Sequence, residues 1–110
     1  MKFYEAKAYC PGLGMRLPVP KDVEMNSILA ALTPIMRDVW LGAHRSLSDF
    51  NRWEDEVLST PIGYSNWAWG EPNNYQIRHE TVAKLRCDSA WNDITIDEEY
   101  AVICTREIDI

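Results

Sequence analysis

The sequence predicts a small α+β domain in which two helices precede a set of short strands and one long loop. The chain has 110 residues, the size of a single domain, 1–110. Its first third contains two stretches with apolar residues at helical spacing, and the remainder contains short β-branched and aromatic runs. Helices that are segregated from strands along the chain are typical of the α+β class.

Two amphipathic segments predict the helices. In MKFYEAKAYC, at 1–10, an apolar face is expected from Phe3, Ala6, Ala8 and Cys10, and the charged residues between them face solvent. The second helix is predicted over 23–32, with Asp22 as its N-cap and a Thr-Pro pair closing it. The segment PGLGMRLPVPKD between them is too rich in Pro and Gly to continue either helix.

Short apolar runs predict the strands. The run 38–43, DVWLGA, is typical of a buried strand, and 51–57 is a weaker candidate. The segment 81–85 alternates like a strand, and the continuous apolar run in 98–105 predicts a buried final strand. Between them, 59–80 contains two Pro, two Gly and three Asn with almost no periodicity. A loop of this length in a small domain is usually functional, and its aromatic residues argue that it is ordered.

Composition and charge narrow the classes of function. The net charge is −6, which argues against nucleic acid, whose phosphates require clustered Lys and Arg. The same charge disfavours an anionic membrane surface, and no apolar run is long enough to span a bilayer. An acidic domain suits a bound cation.

Aromatic residues and cysteines bear on the core and its cross-links. Five Trp and five Tyr supply much of the apolar area that a domain of this size needs. Three cysteines without a CxxC pair disfavour a structural zinc site. In an extracellular protein they would form one disulfide and leave one thiol, and composition alone leaves the pairing open. We expect the core to include Trp40, Trp67, Trp69 and Trp91.

Two short stretches are rich in side-chain oxygen atoms. WGEPNNY, at 69–75, contains Glu71 and Asn73, and AWNDI, at 90–94, contains Asn92 and Asp93. Calcium takes six to eight oxygen ligands from carboxylates, amide carbonyls and water. A cis proline bond between Glu71 and Asn73 would let both side chains turn the same way. With Glu80 from the intervening segment, the five residues form a candidate calcium site, which magnesium would fit less well.

Each stretch also has an ordinary explanation. EPNN is a common turn sequence, and WND is compatible with a buried Trp followed by an Asx turn. Taken singly, each fragment is more often such a turn. The combination of the two favours a site.

The chain resembles the C-type lectin-like domains over nearly its whole length and in the same order. FYEAKAYC resembles the first helix of that family with its cysteine, and VWLGA resembles its Trp-hydrophobic-Gly strand. YSNWAWGEPNN resembles the tryptophan-rich long loop, and WND followed by YAVICT resembles the closing strands. The resemblance implies the C-type lectin-like fold, with two helices packed on short antiparallel sheets and a long calcium-binding loop region.

In that family, Glu-Pro-Asn marks the calcium-dependent site for mannose-type sugars, and galactose-type members carry Gln-Pro-Asp. The resemblance therefore implies a Ca²⁺ ion that coordinates the 3- and 4-hydroxyls of mannose, glucose, N-acetylglucosamine or fucose. The residues that it implies, both as calcium ligands and as sugar contacts, are Glu71, Asn73, Glu80, Asn92 and Asp93.

The resemblance also implies a disulfide between Cys10 and Cys104 and a secreted or extracellular location, although 1–10 has no signal-peptide character. Val82 and Ile96 stand where the family's second disulfide lies, so we expect an apolar contact there and an unpaired thiol at Cys87.

Two further features of the family are missing or altered in this sequence. The family's usual N-terminal strand is missing from the sequence. Asn74 and Thr81 stand where acidic residues would complete an auxiliary calcium site, so we expect that site to be absent or weak.

Three hypotheses about function follow. The first is calcium-dependent binding of glycans that end in mannose-type sugars, with several sites in an oligomer providing avidity. The second is a protein-binding member of the same fold in which calcium is structural or absent. The third is a hydrolase that uses Glu71 and Asp93 as paired carboxylates, and it is disfavoured because nothing in the sequence activates a nucleophile.

Overall fold

The computed structural model describes residues 1–33, 37–49, 51–73 and 81–106. Helix α1 spans Phe3–Tyr9 and is continued by a 3₁₀ turn at Cys10–Leu13. Helix α2 spans Val23–Leu32. No helix in these ranges is long and apolar enough to cross a membrane.

Both predicted helices are confirmed. The N-cap of α2 is Asp22, whose Oδ1 accepts a hydrogen bond from the main-chain nitrogen of Met25 at 2.8 Å. The helix buries Leu29 and Ala30 against the sheet. It ends before Thr33, whose extended backbone breaks the helical hydrogen bonding.

Four antiparallel strands form one sheet in the order β2-β1-β3-β4. The strands are β1 at Val39–Arg45, β2 at Trp53–Asp55, β3 at Val82–Leu85 and β4 at Trp91–Ile94. Strands β2 and β3 lie within segments that the sequence predicts as strands, and β1 begins in the predicted run 38–43 but continues two residues further, to Arg45. The fourth lies in the stretch that the resemblance assigns to the closing strands, although WND taken alone is also compatible with an Asx turn. It pairs with β3 throughout, from Val82 opposite Ile94 to Leu85 opposite Trp91.

The predicted final strand at 98–105 is wrong as a regular strand. Ala101 forms an isolated bridge with Val39, and Thr105 forms another with Arg16. The pairing partner therefore changes within four residues, so no neighbour runs alongside long enough for a continuous ladder. Side chains 101–105 are half-buried rather than fully buried.

The apolar core has two parts, one on each face of the sheet. One part places α2 against Leu41, Ala43 and the indole of Trp91. The other places α1 against Trp40 and Val82, and Ile96 packs against this second part. Val82 and Ile96 thus share one apolar cluster, as expected for the positions of the family's second disulfide.

The Cys10–Cys104 disulfide is present and joins residues 94 positions apart. It connects the end of α1 to the closing segment, and Cys87 is an exposed free thiol. Met1 exchanges two main-chain hydrogen bonds with Tyr100, of 2.9 and 3.0 Å, just before α1 begins. The two ends of the described chain are therefore joined to each other, by these bonds and by the disulfide.

Candidate functional site

The loop that carries Glu71 and Asn73 lies along strand β4. Trp91 donates through its main-chain nitrogen to the carbonyl of Asn66 at 2.9 Å, and Ala68 donates to the carbonyl of Trp91 at 2.9 Å. The indoles of Trp67 and Trp91 meet edge to face, with their ring centroids 5.4 Å apart. The loop is therefore held to β4 by main-chain bonds and by aromatic packing just before the Glu-Pro-Asn motif.

A tight turn then presents the motif. Gly70 has φ +78°, a left-handed conformation that favours glycine, and the main-chain nitrogen of Glu71 donates to the carbonyl of Ala68 at 2.9 Å. The bond from Glu71 to Pro72 is cis, the geometry considered for this motif in the sequence. Glu71 is half-buried and Asn73 is exposed.

The two oxygen-rich stretches meet at Asp93. The main-chain nitrogen of Asn73 donates to Oδ1 of Asp93 at 3.1 Å, across 20 residues of sequence. Asp93 itself is 2% exposed. A buried carboxylate on β4 thus anchors the backbone of the Glu-Pro-Asn loop, and the expectation that the two stretches are neighbours is met at this pair.

The side chains of Asn92 and Asp93, which are neighbours on β4, point to opposite faces of the sheet. Side chains alternate along a strand, so Asp93 shares the face of Trp91, and Asn92 shares the opposite face with Ile94. The Oδ1 atom of Asn92 accepts a hydrogen bond from Nη1 of Arg86 at 3.3 Å. The structure therefore brings Asn73 and Asp93 into contact and places the side chain of Asn92 on the other face of β4. Glu80, Asn74 and Tyr75 lie outside the described residues.

A residue that the sequence analysis did not single out is in contact with the site. Arg45 donates through Nη2 to Oδ2 of Asp93 at 3.0 Å, and only 7% of its side chain is exposed. Its guanidinium carbon lies 4.8 Å from the ring centroid of Trp53. A signal was present in the sequence, because Leu41 and Ala43 set a two-residue apolar period that continues to Arg45 and places a cation on the inward face.

The donors of this region suit a hard cation in their chemistry. Glu71, Asn73 and Asp93 offer carboxylate and amide oxygens, the ligand type that calcium prefers. Within the ranges that the structure describes, no three His, Cys, Asp or Glu residues form a cluster that could hold a metal ion. The predicted ligand set would be completed by Glu80, which lies beyond those ranges.

The tryptophans predicted to lie in the core differ in how far they are buried. Trp40 and Trp91 are fully buried, and Trp67 is half-buried with its ring centroid 4.8 Å from that of Trp53. Trp69 is 100% exposed, so the expectation that it lies in the core is wrong. The turn at Gly70 directs the chain outward at this point, and Trp69 consequently stands two residues from Glu71 on the solvent side.

The sequence of this chain is similar to those of known proteins. It is 32% identical to pulmonary surfactant-associated protein D of Bos taurus over 104 residues, which are 93% of this chain and 27% of that protein. It is 35% identical to C-type mannose receptor 2 of Mus musculus over 122 aligned positions, which are 99% of this chain and 8% of the receptor. The chain therefore spans about a quarter or less of these relatives.

Solved structures share the fold. The carbohydrate-recognition domain of the mouse scavenger receptor C-type lectin superposes with a TM-score of 0.86 at 28% identity, covering 96% of this chain and 84% of that domain. The carbohydrate-recognition domain of cow CD23, solved in the presence of a GlcNAc2Man3 oligosaccharide, superposes with a TM-score of 0.75 at 26% identity, covering 87% and 71%. A calcium-independent type II antifreeze protein, at 23% identity and a TM-score of 0.81 over 94% and 77%, shares the fold.

The observed architecture is the C-type lectin-like fold that the resemblance implied, with two helices and a four-stranded antiparallel sheet. The family model of the lectin C-type domain matches residues 1–106. The chain belongs to the C-type lectin domain family.

Proposed function

We propose that residues 1–110 form one carbohydrate-recognition domain that binds mannose-type sugars through a calcium ion. The observation that carries this proposal is the hydrogen bond from the main chain of Asn73 to Asp93, because it joins the Glu-Pro-Asn loop to the WND strand. These are the two stretches that would supply the ligands. Their contact supports a single site built from both.

The proposed ligands are Glu71, Asn73, Glu80, Asn92 and Asp93. Glu71 and Asn73 serve one sugar hydroxyl, and Glu80 and Asn92 serve the adjacent one, so that each hydroxyl donates to a carboxylate and accepts from an amide. The calcium ion supplies two positions that the sugar hydroxyls occupy in place of water. For Asn92, this role requires its side chain to turn from Arg86 toward the edge of β4 where Asn73 lies.

A single sugar residue would bind weakly at such a site. Hydrogen bonds to charged groups contribute about 1.5–3 kcal/mol each, but the free sugar and the free carboxylates are both hydrated. We therefore expect millimolar affinity, about −4 kcal/mol, for a monosaccharide. Several domains held in one oligomer would be needed for avidity toward a glycan surface.

The relatives support the class of ligand, and the disulfide supports the location. One of them is named as a mannose receptor, and the CD23 domain was solved with a mannose-containing oligosaccharide. A disulfide that joins residues 94 positions apart also suits an oxidising compartment, so we propose a secreted or extracellular protein. Nucleic acid and membrane insertion are not among the proposed interactions, given the net charge of −6.

A second candidate is a protein-binding domain in which calcium is structural or absent. The contact that favours it is the ion pair between Arg45 and Asp93, which provides the buried carboxylate with a cation from the chain itself. The hydrolase hypothesis receives no such support, because Asp93, one of its two carboxylates, is 2% exposed and accepts hydrogen bonds from Arg45 and Asn73. The family to which the chain belongs is that of a lectin domain.

Retention on immobilised mannose in millimolar calcium, followed by elution with EDTA, tests the proposal. A galactose column is the matched control. Retention on mannose that EDTA releases would support the sugar site. If calorimetry detects calcium binding but the mannose column retains nothing, the protein-binding candidate is favoured. Without calcium binding, the metal-dependent mechanism is wrong.

A further inference from the structure

The side chain of Arg45 is built into the sheet beside the proposed sugar site. It belongs to the last residue of β1, and its main-chain nitrogen donates to the carbonyl of Thr81 at 2.8 Å. We propose that Arg45 is a positioning residue that holds Asp93, and through it the Glu-Pro-Asn loop, in place when no calcium is bound. The part of this inference that concerns calcium rests on the proposed function.

The contacts form a continuous chain from the sheet to the loop. The Arg45 guanidinium donates to Oδ2 of Asp93 at 3.0 Å, and Oδ1 of the same carboxylate accepts from the main chain of Asn73 at 3.1 Å. A carboxylate that is held at one oxygen by a fixed cation has its other oxygen fixed in direction as well. The orientation of Asp93 therefore determines where the backbone of Asn73 can dock.

The guanidinium is itself held from another side. Arg45 pairs with Trp53 across strands β1 and β2, and its guanidinium carbon lies 4.8 Å from the centroid of that indole. The ring of Trp53 packs in turn against Trp67, with centroids 4.8 Å apart, at the base of the same loop. Arg45 thus contacts the loop's anchor at Asp93 and lies over the ring of Trp53, which packs against Trp67 of the loop.

Charge explains why this arrangement has consequences for the metal-free protein. A carboxylate as buried as Asp93 is costly without a cation or several donors. A site that relied on calcium alone would leave this carboxylate uncompensated when the metal dissociates, and the loop would lose its anchor. Arg45 supplies a permanent positive charge there. The same charge repels a divalent cation, so Arg45 is also expected to weaken calcium binding while it preserves the order of the loop.

The variants Arg45→Met and Arg45→Lys test the inference, and Arg16→Met is the matched control. Arg16 forms a buried ion pair of similar exposure with Asp55. The first measurement is amide hydrogen exchange at Asn73 in EDTA, normalised to the amide of Trp91, which bonds to Asn66 in the same loop. The second is the increase in unfolding temperature on adding millimolar calcium.

In EDTA, we expect Asn73 to exchange about tenfold faster or more in Arg45→Met than in the wild type, since its acceptor is released. Arg45→Lys, which keeps a charge but loses the planar fork, is expected to be intermediate and provides the test if Arg45→Met does not fold. Arg16→Met is expected to lower the unfolding temperature without a selective change at Asn73. We also expect calcium to raise the unfolding temperature more in Arg45→Met than in the wild type, because the metal replaces the missing charge.

Unchanged exchange at Asn73 in both Arg45 variants, or an equal change in Arg16→Met, would overturn the inference and leave the sugar proposal standing. Faster exchange at Asn73 with no calcium effect in any protein would support Arg45 as the organiser of the loop and remove calcium from the proposed function. A smaller calcium effect in Arg45→Met than in the wild type would contradict the predicted repulsion.

Discussion

Two buried arginine–aspartate pairs occupy different regions of this domain and differ in what surrounds them. Arg16 binds Asp55 at two points, with Nη1 to Oδ2 at 2.9 Å and Nη2 to Oδ1 at 2.7 Å. Arg45 binds Asp93 through Nη2 at 3.0 Å, and the other carboxylate oxygen accepts from Asn73. The first pair joins the segment before α2 to the end of β2, and the second lies under the Glu-Pro-Asn loop.

The remaining contacts show the difference in role. Oδ1 of Asp55 also accepts from the main chains of Val57 and Leu58, at 2.8 and 3.1 Å, within its own turn. Burial by itself raises the pKa of Asp55, but the hydrogen bonds from Arg16 and from this turn outweigh it and hold the pKa below its ordinary value. Asp55 therefore stabilises a local turn and ties it to Arg16.

Asp93 makes a different second contact, because its Oδ1 atom accepts a hydrogen bond from Asn73, a residue 20 positions away in sequence. The pair of Arg16 and Asp55 thus stabilises the scaffold, whereas the pair of Arg45 and Asp93 positions a loop. The two pairs thus differ in their further contact, which lies within the residue's own turn for Asp55 and in the Glu-Pro-Asn loop for Asp93.

Breaking the scaffold pair is expected to have the largest effect. Arg16→Met leaves the Asp55 carboxylate buried without its main cation, and removal of one partner of a buried pair costs about 3–5 kcal/mol. Urea unfolding measures this loss in the free energy of unfolding. Arg52→Ala is the control, since Arg52 forms a more exposed pair with Glu54 at 3.3 Å and its removal should cost about 1 kcal/mol or less. Equal losses in the two variants would show that burial of the Arg16 pair contributes nothing.

Changing the loop is expected to affect sugar binding rather than stability. The double variant Glu71→Gln with Asn73→Asp converts the motif to the galactose-type Gln-Pro-Asp. We expect mannose affinity to fall by about 1.5–3 kcal/mol, the contribution of a hydrogen bond to a charged group, and galactose retention to appear. The free energy of unfolding should change less than in Arg16→Met, because Asn73 is exposed and Glu71 is half-buried. Unaltered mannose retention in this variant would exclude the loop as the sugar site.

Lowering the pH is expected to affect sugar binding and the stability of the fold over different pH ranges. The effect on stability is expected to be smallest near neutral pH. Calcium ligands must be deprotonated, so retention on mannose should fall as pH approaches about 5. The pKa of Asp55 is lowered in the folded protein, so its contribution to stability is complete at neutral pH. That contribution is lost only as pH falls below about 4, through the folded-state pKa. Circular dichroism and column retention over the same pH series should therefore diverge. Full retention at pH 5 would contradict a calcium-dependent site.

Much of the fold could be predicted from local pattern. The bounds of α2 follow from Asp22 as N-cap and from the Thr-Pro pair at its end, and these are local properties of the chain. The run that begins β1 is similarly clear from its β-branched and aromatic residues. The strand at Trp91–Ile94 is not evident from its own residues, because it mixes one aromatic with an amide and an acid. The family resemblance placed it among the closing strands, and it forms by pairing with β3.

The residue types of the candidate site could be predicted from the sequence, whereas the ion pair between Arg45 and Asp93 was not predicted. The paired motifs around Glu71 and Asp93 identify a cluster of oxygen ligands, and their contact through Asn73 follows from the loop's main-chain bonds to β4. Arg45 was overlooked because a cation after a buried strand usually marks the strand's solvent end. Its partner lies 48 positions away, and sequence spacing carries no information at that distance.

The helices with their caps, the order of the motifs and the family resemblance follow from residue types and spacings within short segments of the chain. The three-dimensional fold was needed to show that Trp69 stands on the surface and that Asp93 is paired with Arg45. Burial and ion pairing depend on contacts between segments that are remote in sequence. For Asp93, the neighbour that decides its charge environment is brought to it by the sheet.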